Sequence, residues 1–237
     1  MSLGSHYSRD FFSVLAEGSE LGARICLPIC FEIVNPTSVV DVGCGIGAWA
    51  KAASDLGIAD VTGIDGNYVA ADQLLIPPER FVPQDLEISI ALDRTFDLAV
   101  CMEVAEHLSP NRAAGFVEEL TQLAPAVLFS AAIPGQGGTN HINEQWQDYW
   151  ASRFAQFGFR PIDCVRPALW TDAEVPFWYR QNAILYVGPE SAVSESLSAP
   201  MPLNVVHPDL LRAKQEATAR PSVIRRLARK TGALLKR

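Results

Sequence analysis

The run SVVDV at residues 38–42, followed at once by Gly43-Cys44-Gly45-Ile46-Gly47, constrains the fold more than any other stretch of this 237-residue chain. A short valine-rich run reads as a strand, and glycines at alternate positions read as a tight turn into a helix beginning near Ala48. Strand, glycine turn and helix in that order build the ligand corner of a doubly wound sheet, where ligands sit beyond the carboxyl ends of the strands. The spacing is GxGxG, not the GxGxxG of dinucleotide sites. Asp41, two residues ahead of the triplet, would oppose a pyrophosphate and suits a ligand carrying positive charge.

The rest of the chain repeats the alternation. DVTGID, RFVPQD, FDLAVCM and AVLFSAA read as four more strands. Helices are expected over residues 48–56, ended by Gly57, and over PNRAAGFVEELTQL, with Pro110 in its first turn. A further helix carries Trp146 and Trp150. FRPIDCV and NAILYVG read as two last strands, with no helical pattern between them, and so as an antiparallel hairpin at the edge. The expected fold is α/β: a Rossmann-like, doubly wound, seven-stranded sheet, mostly parallel, with helices on both faces. Ahead of it, residues 7–34 read as two helical pieces. Phe11, Phe12 and Leu15 mark the first, and Leu21, Ile25, Ile29 and Ile33 the second, with EGSE between them. Pro28 predicts a kink or break in the second piece. The expected divisions are 1–37, 38–188, a Ser/Ala/Pro linker at 189–203 and a basic tail at 204–237.

With 49% hydrophobic and 19% charged residues, the body should pack a globular core. No apolar run approaches the roughly 18 residues that span a bilayer. The opening MSLGSHYSRD lacks the basic-then-apolar order of a secretory signal. Cysteines 26, 30, 44, 101 and 164 are odd in number and lack paired zinc spacing, which predicts reduced thiols in a cytoplasmic protein. Net charge is −15 over residues 1–203 (25 acids, 10 bases) and +7 over 204–237 (2 acids, 9 bases). An acidic body argues against a broad nucleic-acid surface on the core.

Two further acids stand at strand ends. Asp65 closes the second strand, where a carboxylate accepts both hydroxyls of a ribose. Asp85, followed by Leu86, closes the third, where it accepts an adenine amino group. Ribose, adenine and a cationic tail at Asp41 describe S-adenosylmethionine. The pattern VVDVGCGIGAW, VTGIDGNY, FVPQDLE, FDLAVCMEVAEHL resembles the class I S-adenosylmethionine-dependent methyltransferases over about residues 38–187. The resemblance implies that Asp41, Gly43, Cys44, Gly45 and Gly47 border the methionine moiety, with Glu103 on the same cofactor side. It places Asp65 and Gly66 at the ribose, and Asp85 and Leu86 at the adenine. The helices before residue 38 stand in the place of that family's lid, where Tyr7 closes over the cofactor.

The methyl acceptor belongs beyond the fourth strand, at Glu103, Glu106 and His107. His141, in the loop after strand five, should face that turn. Positioning plus a proton acceptor is what an oxygen acceptor needs, and a histidine supplies it. Glu106, His107 and His141 are therefore the candidate catalytic residues. Two carboxylates and two imidazoles also suit a divalent cation, a second and less favoured reading. EVAEH with a later histidine resembles the small-RNA 3′-terminal 2′-O-methyltransferases, and its EH part the ubiquinone-biosynthesis O-methyltransferases. The favoured function is O-methylation of a small molecule or glycan precursor. The alternatives are a metal-dependent RNA-terminus methyltransferase and a non-catalytic cofactor-binding module. Trp146 and Trp150 read as core, while Trp170 and Trp178 read as lining the acceptor site. From Val223, Leu227 and Leu234 share a stripe ringed by basic residues; this tail is expected to dock on the body or a partner subunit in preference to a membrane.

Overall fold

The computed structural model describes residues 9–194, 197 and 202–219. Tyr7 and the tail from Val223 onward lie outside the described residues, as do the side chains of Phe11, Phe12 and Leu15. The chain divides into two compact units, Met1–Val205 and Val206–Arg237.

The first unit holds one seven-stranded sheet in the order β3-β2-β1-β4-β5-β7-β6. The strands are β1 (Ser38–Val42), β2 (Asp60–Asp65), β3 (Phe81–Pro83), β4 (Leu98–Met102), β5 (Ala126–Ser130), β6 (Arg160–Ile162) and β7 (Ile184–Val187). The pairs among β1 to β5 are parallel; β7 runs antiparallel to both β5 and β6. This is the expected mixed sheet with its antiparallel edge. The strand order reverses between β1 and β4, so the loops after these parallel strands flank one crevice. All five residues of β4 and of β5 are buried, as strands covered on both faces must be.

Among the described residues of the first unit, six helices accompany the strands: α1 (Arg9–Val34), α2 (Ala48–Asp55), α3 (Ala113–Leu123), α4 (Gln147–Ala155), α5 (Val165–Leu169) and α6 (Phe177–Asn182); the second unit holds α7 (Pro208–Ala219). One core joins residues of α1, α2, α5 and α6 to one sheet face, and a second joins α3 and α4 to the other. In α3 the buried residues Ala113, Phe116, Val117, Leu120 and Leu123 recur at helical spacing, which seats that helix.

Several expectations change. Residues 9–34 form one helix, with Pro28 inside it, rather than two pieces. The EGSE segment costs roughly 1 kcal/mol at Gly18 and little elsewhere, and burial of the helix beyond it outweighs that. Its buried line is Ala23, Cys26, Leu27 and Cys30, while Ile25, Ile29 and Ile33 flank the core and Leu21 is 39% exposed. The second half of α1 is thus a packed layer. Helix α3 begins three residues later than Pro110, after a turn over residues 110–112. The β6–β7 connection contains α5 and α6, which are one to two turns long and too short for periodicity to reveal. Trp150 is buried, but Trp146 caps α4 and is 39% exposed. Trp178 is partly buried and packs against the core that α1 and α2 share. None of the five cysteines forms a disulfide, and four of them are buried.

Residues 202–205 return to the body. The buried Arg166 forms a two-pronged pair with Asp163 (2.9 and 2.7 Å) and donates to the carbonyls of Leu203 (2.7 Å) and Pro202 (3.4 Å). Gln147 Nε2 donates to the Val205 carbonyl at 3.1 Å. In the second unit, the His207 ring accepts from the Asp209 backbone N–H at 3.1 Å, at the start of α7. Among the described residues no helix is long and apolar enough to cross a membrane.

Candidate active site

The glycine turn after β1 is held from beneath. Gly43 N–H and Cys44 N–H both donate to the Ile64 carbonyl, at 2.8 and 3.0 Å. Gly43 has φ +76°, and a β-carbon there would stand 2.4 Å from Val104 Cγ2. Only glycine satisfies both conditions. Cys44 turns its thiol inward, with Sγ donating to the Gly45 carbonyl at 3.4 Å. Asp41 is 2% exposed, and its Oδ2 accepts from Ala50 N–H in the first turn of α2 at 3.0 Å. Burial pushes its carboxyl up to about 7 against that hydrogen bond, with Asp65 adding to the rise. Its carboxylate therefore supports the turn directly, beyond the charge role expected for it.

Asp65 ends β2 and points into the same turn. Its Oδ2 accepts from Gly45 N–H and its Oδ1 from Gly66 N–H, both at 2.6 Å. The Tyr68 hydroxyl also donates to Oδ1. Burial raises the Asp65 pKa, while the bonds from Tyr68, Gly45 and Gly66 pull it back. Tyr68, absent from the sequence expectations, thus stands at the carboxylate assigned to ribose. Asp85 is exposed and accepts from Glu87 N–H at 3.0 Å; Leu86 is buried, with its carbonyl held by Arg112 Nε at 2.8 Å.

On the acceptor side, β4 runs into Glu103, which has φ +56°, and then a single 3₁₀ turn at Ala105–His107. The Glu106 carbonyl accepts from Ile142 N–H (2.9 Å) and Asn143 N–H (3.0 Å), and its Oε1 accepts from Ala132 N–H (3.2 Å). These bonds bring the loop after β5 over the turn. His141 then meets His107 edge to face, with ring centroids 4.9 Å apart, as the sheet order predicted. One ligand atom each from Glu106, His107 and His141 lie within 4.8 Å of one another. Glu106 Oε2 and His107 Nδ1 are buried without hydrogen-bond partners. Burial, then the neighbouring His141, push His107 down to about 4, against a hydrogen bond with the Asn140 backbone. Burial and the nearby Glu103 push Glu106 well above the usual carboxylate range.

Glu103 lies beside Glu106 and is held by amides. Its Oε2 accepts from Gln136 Nε2 at 2.9 Å and its Oε1 from Asn182 Nδ2 at 3.2 Å. The backbone N–H of Glu103 donates to Ser130 Oγ at 3.0 Å. Gln181 joins this buried amide network through Gln136 and Asn182, each at 3.1 Å. Sequence reading missed Gln136, Gln181 and Asn182, because two of them sit on the short helix α6.

Residues 19–163 match a protein family described as "Methyltransferase domain". The chain belongs to this family. The methyltransferase domain is 37% identical over 113 residues to a ubiquinone biosynthesis O-methyltransferase of Methylobacterium sp. (strain 4-46), covering 44% of each chain. It is 28% identical over 138 residues to a ribosomal protein L11 methyltransferase of Geotalea uraniireducens, covering 58% of this chain and 42% of that one. The chain spans less than half the length of the curated relatives it matches. Among solved structures, human N-acetylserotonin methyltransferase with S-adenosylmethionine aligns with TM-score 0.53 and 18% identity over 75% of this chain and 55% of that one. Magnesium protoporphyrin IX methyltransferase from Synechocystis PCC 6803, with S-adenosylhomocysteine bound, aligns with TM-score 0.52 and 15% identity over 77% and 88%. The methyltransferase domain therefore shares the Rossmann-like fold of these methyltransferases, with its sheet, switch point and glycine turn in the expected order.

Proposed function

We propose that this methyltransferase transfers a methyl group from S-adenosylmethionine to a hydroxyl of a small molecule or glycan precursor, with Glu106, His107 and His141 organising the acceptor. The observation carrying this reading is the pair of buried, unpartnered atoms, Glu106 Oε2 and His107 Nδ1, beside His141. Leaving such atoms unsatisfied costs about 1–3 kcal/mol each, a cost that a ligand between them relieves.

These residues fit a divalent cation. One carboxylate and two imidazoles are an oxygen and nitrogen set that such ions take, and burial holds His107 in the neutral, ligating form. Bound there, the cation would lower the pKa of an acceptor hydroxyl and fix its direction. The same burial makes His107 a weak proton acceptor near neutrality, so ligation gains over the base role that the sequence favours. The donor supplies a methyl group on a sulfonium sulfur; the acceptor oxygen's lone pair forms the C–O bond as the S–C pair returns to sulfur, and the acceptor proton passes to solvent water. The chain's part is to bind, to orient and to keep that proton's path open.

For the donor, Asp65 and Gly66 are assigned to the ribose, Asp85 and the Leu86 backbone to the adenine, and Gly43, Cys44, Gly45 and Gly47 to the methionine moiety above Asp41. Glu103 contributes its backbone on this side, since both its carboxylate oxygens are engaged by amides. Ile142, 60% exposed beside His141, and the exposed Trp146 offer apolar surface for a ring or sugar. The charge contrast between the body and residues 204–237 supports docking of the tail on an acidic protein surface.

Transfer from labelled donor to panels of hydroxylated small molecules, and to RNA with a free 3′ terminus, tests this reading. Label is expected on small molecules, lost with a chelator and restored by Mn²⁺ or Mg²⁺. Label on RNA alone would overturn the acceptor class, and transfer undiminished by chelator would overturn the cation.

A further inference from the structure

We propose that Glu144 is a positioning residue that fixes the orientation and tautomer of His141. No role had been assigned to it, and it lies outside the Glu106, His107, His141 trio. Its carboxylate is the hub of the loop after β5. Oε2 accepts from Gly135 N–H at 2.7 Å, and Oε1 accepts from Gly137 N–H at 2.6 Å and pairs with His141 Nδ1 at 3.0 Å. Side-chain exposure is 12% for His141 and 19% for Glu144, so the pair is largely shielded from water.

The tautomer follows from the chemistry of the partners. An ionised carboxylate only accepts, so the hydrogen shared with Glu144 sits on Nδ1. In the neutral imidazole Nε2 then carries the lone pair. The ring is fixed from two further sides. Its plane lies at 89° to that of His107. A β-carbon on Gly138 would stand 2.1 Å from Nε2, so the loop backbone closes against the ring where any side chain would displace it. One carboxylate therefore shapes the glycine-rich loop and sets which nitrogen of His141 is free. Partners of this kind raise the basicity of a ligating imidazole, and losing one costs about 10–100-fold in metal affinity.

The consequence for chemistry rests on the proposed role of His141; the tautomer does not. The sequence holds four histidines, so ¹⁵N-histidine labelling with long-range proton–nitrogen correlation resolves each ring, and His141→Gln identifies the signal. The full-length protein should show His141 protonated on Nδ1. An Nε2-protonated His141 in the unaltered protein would overturn the proposal without any variant. In Glu144→Gln, checked for folding by its melting transition and for an intact donor site by S-adenosylhomocysteine affinity, the Nδ1-protonated signal should be lost or mixed. Mn²⁺ affinity, read by electron paramagnetic resonance, should fall about 10–100-fold. An unchanged tautomer in Glu144→Gln would also overturn the proposal. A changed tautomer with no Mn²⁺ binding in either protein would uphold Glu144 and count against the cation reading alone.

Discussion

Gly43→Ala is the most informative single change in the glycine turn, because its cost divides into two separable parts. The residue sits at φ +76°, where a β-carbon costs about 1–2 kcal/mol. The added methyl would also lie 2.4 and 2.7 Å from the two γ-carbons of Val104, an overpacking that typically costs about 1–3 kcal/mol. The sum is about 2–5 kcal/mol. Val104→Ala removes both γ-carbons and leaves only its β-carbon, 3.1 Å away. The double variant should recover the steric part and retain the backbone part, giving a coupling energy of about 1–3 kcal/mol in a double-mutant cycle. Urea denaturation of the four proteins measures it. Strict additivity, or a neutral Gly43→Ala, would falsify the argument that this turn and the acceptor-side segment are packed against each other.

Three further outcomes follow from the same structure. Asp97 is held below the usual carboxylate range by bonds from Thr37 and Ser38, so it stabilises the fold above its unfolded pKa and loses that contribution as pH falls through its folded value; the stability gap between native protein and Asp97→Asn should close in strong acid. Tyr68→Phe removes a hydroxyl from Asp65 and should tighten S-adenosylhomocysteine binding by about fivefold, as judged from a net hydrogen-bond value near 1 kcal/mol; weaker binding would show that Tyr68 assists the ligand. Truncation after Pro189 deprives Arg166 of two carbonyl partners and should cost about 1–3 kcal/mol by urea denaturation; an unchanged midpoint would show that these bonds do not hold the body together.

The strand and glycine pattern made the sheet legible, because short β-branched apolar runs bounded by turn residues recur between helical segments. Asp41, Asp65 and His141 were placed by their positions in the topology; the two aspartates stand at the glycine turn, and His141 meets His107 in the turn beyond β4. What escaped has a physical reason in each case. Pro28 signals a break, but a helix buried along Ala23, Cys26, Leu27 and Cys30 continues through it. Helices α5 and α6 are too short to show a period, and with them went Gln181 and Asn182. Tyr68 and Glu144 lay within quoted or nearby sequence, at three residues from Asp65 and His141. That spacing carries no signal until the loop conformation turns them back on their partners.

The central claim is that the corner built by Asp41, Gly43 and Asp65 takes S-adenosylmethionine. Titration calorimetry of the full-length protein with S-adenosylhomocysteine and, separately, with NAD tests it most directly. The account predicts saturable binding of S-adenosylhomocysteine, none comparable with NAD, and a loss of about 2–4 kcal/mol in Asp65→Ala, since two charge-assisted hydrogen bonds to ribose go with the carboxylate. The variant's own fold is checked by its melting transition, because Asp65 also holds Gly45 and Gly66. Tight NAD binding with no response to S-adenosylhomocysteine would contradict the account.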